Sequence, residues 1–434
     1  MAQDMKLTMM VRSVVAAMAV LGAGSAAASG FQLLEQNASG LGNAYAGSAA
    51  VSQDASTIYF NPAGMTQLKP HEISLGANFI QPSYKFTSST SSNAPAATGS
   101  NGGDAGSLAA VPNMYMSWGV TQDLYLGLGI GAPFGLKTEY DNDWAGRFQS
   151  TLFDIETLNV NPSIAWRANS WLSIGAGVNY MHMDATYERY AATANPALPA
   201  AFWPGLQNTK VRLNANDDAW GWNAGVLLTP SQTTKLGLSY RSAVKQELKG
   251  ELTFSGPLAG ASASTSNTDA STSIKLPDTF IISTVQQLGP DWEMLGDISW
   301  TGWEKIDQVV IARADGTTAQ TLDAHFRNTW RVALGANYQL NSAWKLRTGL
   351  AWDQSPVRDA STRLTSLPDN NRLWLSLGTQ WVPAKDSRID VGFSYLLVGD
   401  ADIDNNQSAL GRGRVTGAYK GNVMILGAQY SQAF

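Results

Sequence analysis

Leu172-Ser173-Ile174-Gly175-Ala176-Gly177-Val178-Asn179-Tyr180 alternates without a break. Leu172, Ile174, Ala176, Val178 and Tyr180 are apolar, and the residues between them are small or polar. Successive side chains of an extended chain point to opposite faces, so this spacing predicts a strand with one apolar face. The same alternation recurs in Ile73–Phe79, Leu124–Gly131, Leu158–Trp166 and Ile389–Leu397. A soluble β-sandwich also alternates, but its turns are short at both ends. Here six short connections, at 121–123, 168–170, 230–234, 289–291, 341–343 and 383–387, intersperse with long ones. The seven long ones fall at 86–110, 133–156, 183–219, 243–277, 304–328, 355–371 and 399–420. Thirteen connections join fourteen strands. An even strand count, with short turns on one side and long loops on the other, describes an outer-membrane barrel. The expected fold class is therefore all-β, a 14-stranded antiparallel transmembrane β-barrel.

Composition agrees. Charged residues are only 15% of the 434, aromatics reach 10%, and there are 41 glycines. Few charges with many aromatics and glycines suit a lipid-facing β protein better than a soluble enzyme. Trp166, Trp171, Trp292, Trp300, Trp344 and Trp352 fall near strand ends, where an interfacial aromatic belt sits. No cysteine is present, so disulfides and cysteine-ligated metals are excluded. The net charge of −5 gives no reason to expect nucleic acid as a partner. His71, His182 and His325 are scattered, and no metal-ligand spacing, nucleophile elbow or phosphate loop occurs. No enzyme, metal or cofactor is expected. Asp297, Asp353 and Asp390 fall on the polar strand face and read as solvated lumen residues or as partners of lumen arginines such as Arg347 rather than as acid–base catalysts.

The chain before the first strand has a different character. Residues 1–28 read as a signal peptide, with Lys6 and Arg12 before an apolar Val14–Leu21 and the small residues Ala26-Ala27-Ala28 at the end. Residues 29–70 are dominated by Gly, Ala and Ser and close on Asn61-Pro62-Ala63. Small side chains let a backbone pack closely in a confined space. Between a signal and a run of strands, such a segment reads as a plug, or hatch, inside a barrel spanning residues 71–434.

Gly30-Phe31-Gln32-Leu33-Leu34-Glu35-Gln36-Asn37-Ala38-Ser39-Gly40-Leu41-Gly42-Asn43-Ala44-Tyr45-Ala46-Gly47, followed by Asn61-Pro62-Ala63-Gly64-Met65, resembles the hatch of the FadL-type outer-membrane transporters. Pro133–Tyr140, Trp144–Phe148, Asn161-Pro162-Ser163, Trp330–Gly335 and Arg347–Val357 are similar to further blocks of that family in the same order. The terminal Phe434 resembles its assembly signature, although Gln432 stands where the family often has an aromatic. The resemblance implies uptake of long-chain fatty acids or related hydrophobic small molecules by diffusion through a monomeric barrel in the bacterial outer membrane. It also implies lateral release to outer-membrane lipid. A channel for aromatic hydrocarbons or alkanes, or a general porin, is the alternative reading.

Candidate site residues follow. Tyr187-Glu188-Arg189-Tyr190-Ala191 resembles the family segment whose arginine meets the ligand carboxylate, so Arg189 is the expected acid-head contact. The family's lysine before the tenth strand has no counterpart in Asp323-Ala324-His325-Phe326-Arg327. Ala197–Leu206 is strongly apolar for a loop and reads as a ligand collector through Phe202, Trp203 and Leu206. Gly127, Gly129 and Gly131 precede Pro133, which cannot donate to a ladder. Glycines within strands mark kinks, so a break in pairing is expected near Gly129–Pro133, the lateral opening.

Overall fold

The computed structural model describes residues 29–89, 99–192 and 199–434. The expected signal peptide, residues 1–28, lies outside them, as do residues 90–98 of the first long connection and Ala197 and Leu198 of the third. Fourteen wall strands run in chain order: β1 His71–Ser88, β2 Ala109–Gly119, β3 Leu124–Gly131, β4 Leu152–Arg167, β5 Leu172–Tyr190, β6 Lys210–Leu228 and β7 Thr234–Arg241. They continue as β8 Thr279–Gln287, β9 Trp292–Thr301, β10 Thr329–Gln339, β11 Trp344–Asp353, β12 Arg372–Ala384, β13 Ser387–Val398 and β14 Arg414–Ala433. Each pairs antiparallel with the next, and β14 pairs with β1 along Glu72↔Ala433 to Ser88↔Gly417. The sheet thus closes and has no free edge, the condition for crossing a bilayer with strands.

The outward faces carry the exposed apolar residues, among them Leu158, Val178, Ile282, Leu334, Leu350, Leu377 and Leu426. Paired aromatics bound this band on both sides. Trp344–Trp381 and Trp292–Tyr338 lie toward the short turns, and Tyr180–Trp220 and Trp222–Tyr240 toward the long loops. Two aromatic girdles around an apolar band mark the two membrane interfaces. The inward faces hold small, polar and charged side chains. Arg347 pairs with Asp390 and Asp369 with Arg372, all fully buried.

Several long connections are more structured than the alternation suggests. The third was expected to span 183–219, yet β5 runs on to Tyr190 and β6 begins at Lys210. Beyond the membrane the outward face of a strand is solvated, so Asp184, Thr186, Glu188, Arg212 and Asn214 break the apolar alternation while the backbone stays paired. The fourth connection holds strands Val244–Ser255 and Thr268–Leu276, and the fifth holds Gln308–Arg313 and Thr318–Asp323. In the last, Ala401–Asn406 pairs with the start of β14.

The N-terminal segment from Ser29 has three short turns of helix, Leu41–Asn43, Thr57–Phe60 and Pro62–Gln67. Its contacts are with inward-facing groups of strands all around the wall. The Ser48 amide and hydroxyl donate to Asp297 of β9 at 3.1 and 2.7 Å, and the Ala49 amide donates to Ser283 of β8 at 3.0 Å. Asn43 Nδ2 donates to the carbonyls of Ala336 and Thr348 at 3.2 and 3.1 Å. Asn78 of β1 donates to the Glu35 carbonyl at 2.7 Å. Inward glycines admit this backbone. A Cβ on Gly349 of β11 would overlap the Asn43 carbonyl, and one on Gly225 of β6 the Asn61 side chain.

Candidate functional site

The inward face of β5 orders the lumen from the long-loop side downward as Arg189, Tyr187, Met183, Met181, Asn179, Gly177 and Gly175. Arg189 stands at the top, above the apolar band that ends on this strand near Tyr180. It is part of a strand rather than a loop, and it is buried. Its neighbour Glu188 faces outward and pairs with Lys210 at 2.9 Å, so it does not neutralise Arg189. Nε of Arg189 donates to Gln320 Oε1 at 2.9 Å, and Nη1 donates to the carbonyls of Tyr190 and Ala191 at 2.9 and 2.7 Å. Among the described residues no carboxylate pairs with it and Nη2 has no partner. Burial, and then the Arg412 guanidinium, push its pKa down to about 9, which leaves it charged at neutral pH.

Arg189 and Gln320 line a cavity of about 440 Å³. Leu206, Val211, Leu252, Ile311, Ala319 and Leu410 supply apolar wall, and Arg313 a second guanidinium. An apolar pocket of this size with a few placed polar groups is a ligand site for an amphiphile. The buried arginine without a counter-charge calls for an anion. The cavity brings together Arg189 and Leu206 of the expected residues. Phe202 and Trp203 do not line it. They lie in the short turns Ala200–Phe202 and Trp203–Gln207, and Phe202 is half exposed. Two further guanidiniums come near Arg189: that of Arg313, on the fifth connection's strand and lining the cavity, and that of Arg412, just before β14. Neither was legible from sequence, since each lies in a loop without alternation and far from Arg189 along the chain.

Below the cavity Met181 and Met183 join an apolar cluster with Val244, Leu248, Leu213 and Ile274. Lower still the face turns polar. Asn159, Asn161, Asn179 and Asn223 form a buried group of linked carboxamides at 3.0–3.2 Å. Arg241 donates to Asn179 Oδ1 and to the Tyr59 carbonyl, and its guanidinium lies 4.3 Å from the Tyr59 ring centre. The N-terminal segment begins here. Pro62 and Ala63 fill the space where Gly175 would carry a Cβ. Asn61 caps the turn at Pro62, accepting from the Ala63 amide at 3.1 Å while Nδ2 donates to Ala49 and to Val226 of β6 at 2.7 and 3.0 Å.

Gly127, Gly129 and Gly131 face inward on β3, where an added Cβ would meet Met65 and Ile58, Tyr115, and Gln36 respectively. Pairing of β2 with β3 ends at Met114↔Ile130, although β2 continues to Ala109 against β1. Pairing of β3 with β4 ends at Gly131↔Asn159, and a separate short strand, Gly135–Glu139, takes up β4 again from Gly135↔Glu156. Between them the chain bends inward to the N-terminal segment. Pro133 O accepts from the Leu33 amide at 2.8 Å, Ala132 O from Gln36 Nε2 at 2.7 Å, and the Gly135 amide donates to Phe31 O at 2.9 Å. The β3-facing edge of β2 from Ala109 to Asn113 is left without a strand partner among the described residues.

Comparison with known proteins matches residues 19–434 to the family model of outer membrane protein transport proteins, OMPP1/FadL/TodX. The chain is 32% identical over 406 residues to the long-chain fatty acid transport protein of Salmonella typhi, covering 90% of this chain and 92% of the relative. It is 31% identical over 415 residues to outer membrane protein P1 of Haemophilus influenzae, covering 89% of each. Among solved structures, a Pseudomonas aeruginosa FadL homologue superposes with a TM-score of 0.84 at 23% identity, covering 93% of this chain and 99% of that one. The P. putida toluene transporter TodX superposes at 0.71 and 17% identity, covering 92% and 98%.

Proposed function

Because the chain belongs to the OMPP1/FadL/TodX family of outer-membrane transport proteins, we propose that it takes long-chain fatty acids, or hydrophobic molecules with a like acidic head, across the outer membrane by diffusion. The single observation that carries this reading is Arg189, a buried guanidinium without a carboxylate partner at the wall of an apolar cavity. An aromatic hydrocarbon or an alkane has no group to satisfy it. The apolar column beneath, through Met183 and Met181, offers the tail a path inward. Residues 29–70 act as the hatch that obstructs the lumen, with Asn61, Pro62 and Ala63 as its anchor on β5 and β6. The hatch argues against a general porin, which has no use for an obstructed lumen.

The cargo leaves sideways. A greasy molecule travelling the whole lumen would meet a polar periplasm, whereas the unpaired stretch beside Gly129, Gly131 and Pro133 offers passage to membrane lipid. Gaps in a wall facing lipid cost several kcal/mol per unsatisfied group unless protein lines them, as Phe31–Gln36 does here.

The test is equilibrium binding to the purified barrel in detergent. Arg189→Gln removes the charge and keeps a polar group. Losing one partner of a buried charge pair costs about 2–5 kcal/mol, so oleate binding weakens by at least about tenfold. Hexadecane binding stays as it was. Equal losses for both ligands would refute a charge-specific role.

A further inference from the structure

We propose that the wall break beside Gly131 carries a second ligand subsite, built from carboxamides, which receives an uncharged polar head, a hydroxyl or a protonated carboxyl. The proposal rests on the lateral exit argued above and adds to it the chemistry of the cargo at that point. Three buried amides border the break from three elements: Gln36 beside Gly131, Asn159 opposite it in register, and Asn113 on the unpaired end of β2, its Oδ1 3.0 Å from the place a Gly76 Cβ would take. Each has an atom without a hydrogen-bond partner among the described residues: Gln36 Oε1, Asn159 Oδ1, and both Oδ1 and Nδ2 of Asn113. All three residues are at most 2% exposed. Buried polar atoms are nearly always paired, so unpaired ones bordering one break in the wall call for a partner that comes and goes.

Their orientations are fixed by what holds them. Gln36 Nε2 donates to the carbonyls of Leu33 and Ala132 at 3.1 and 2.7 Å, which leaves Oε1 bare and 2.6 Å from the place a Gly131 Cβ would take. Asn159 stands opposite Gly131 in register and donates through Nδ2 to Asn179 Oδ1 at 3.2 Å. That Oδ1 also accepts from Arg241, a residue that only donates. Asn179 is therefore oriented, Asn159 is oriented by it, and the Asn159 carbonyl oxygen stays open. Asn113 lies one residue beyond the last β2–β3 pair, Met114↔Ile130, where its strand loses its neighbour.

The subsite thus offers three acceptor oxygens and one donor. A hydroxyl or a protonated carboxyl donates one hydrogen and accepts another, and matches this set. A carboxylate donates nothing and would face three oxygens, and desolvation favours the protonated acid besides. A hydrocarbon satisfies none of them. The two sites divide the work: Arg189 takes the head as an anion, and the amides take it after it has taken up a proton from a solvent hydronium ion, which leaves neutral water behind. Only the uncharged form enters the lipid at low cost.

The test follows uptake of oleic acid, oleyl alcohol and hexadecane by cells whose only transporter of this kind is the full-length protein. The variants are Asn159→Leu, Asn113→Leu and, separately, Gln36→Met, each checked for a folded barrel by its mobility in unheated gels. Oleic acid and oleyl alcohol uptake should fall by about fivefold, the equivalent of one net hydrogen bond of about 1 kcal/mol. Hexadecane uptake should hold. A loss confined to oleic acid would mean that the amides read a carboxylate, and an equal loss or no loss for all three cargoes would remove the subsite; either overturns the proposal. Gly131→Trp, which closes the gap itself, should slow all three. If Gly131→Trp slows none, the lateral exit fails, a result separate from the amide outcomes.

Discussion

Asn61→Ala is the substitution that most directly loosens the N-terminal segment from the wall. The residue is fully buried and makes three hydrogen bonds, to Ala49 within the segment, to Val226 on β6, and from its own turn at Ala63. Alanine removes all three and leaves those groups buried without substitutes. Only the Val226 bond crosses to the wall, so the docked position loses about 1 kcal/mol. Each 1.4 kcal/mol is a factor of about ten, so the undocked population rises roughly fivefold. The wall strands themselves keep every ladder bond, so the barrel stays folded. Single-channel recording in planar bilayers reads the change: the quiet wild-type trace should give way to frequent, long conducting bursts. Asn61→Ser keeps a cap for the turn but cannot reach β6, and should behave like Asn61→Ala. Traces of Asn61→Ala indistinguishable from wild type would show that these bonds do not hold the segment in place.

Deleting residues 29–65 should produce a steadily conducting pore in the same recording, and an unchanged current would contradict the hatch. Arg347→Met should lower the temperature at which the gel mobility of the folded barrel is lost. It leaves Asp390 buried without its partner and frees Gln53 of the N-terminal segment, at about 3–5 kcal/mol. The double variant Arg347→Met, Asp390→Leu should recover most of that loss.

The wall was legible in the sequence because lipid on one side and a small-residue lumen on the other impose a strict period of two. Legibility ended where lipid ended. Above the membrane both faces of β5 and β6 meet polar surroundings, and residues 183–190 and 210–219 read as loop although they are strand. Arg189 was singled out through resemblance, its alternation being hidden in that zone. Arg313 and Arg412 were not found, since only the tertiary fold brings them near Arg189. The break after Gly131 was expected from glycines before a proline. The amides around it carry no local signal, because Gln36, Asn113 and Asn159 meet only after the sheet has closed.

That closure has a consequence for how the chain folds. The Ala38 amide in the N-terminal segment donates to Gln429 on the last strand, 391 residues away. The same strand seals the sheet against β1. Contacts this distant along the chain bear the largest loop-closure entropy and form late. The segment cannot be threaded into a finished cylinder of fourteen strands without forcing its whole bulk past the loops. It must therefore be laid against the inner surface while the sheet is still open, and the seam between the first and last strands then locks it in. The N-terminal segment is in this sense a mandrel, a former around which the sheet curls.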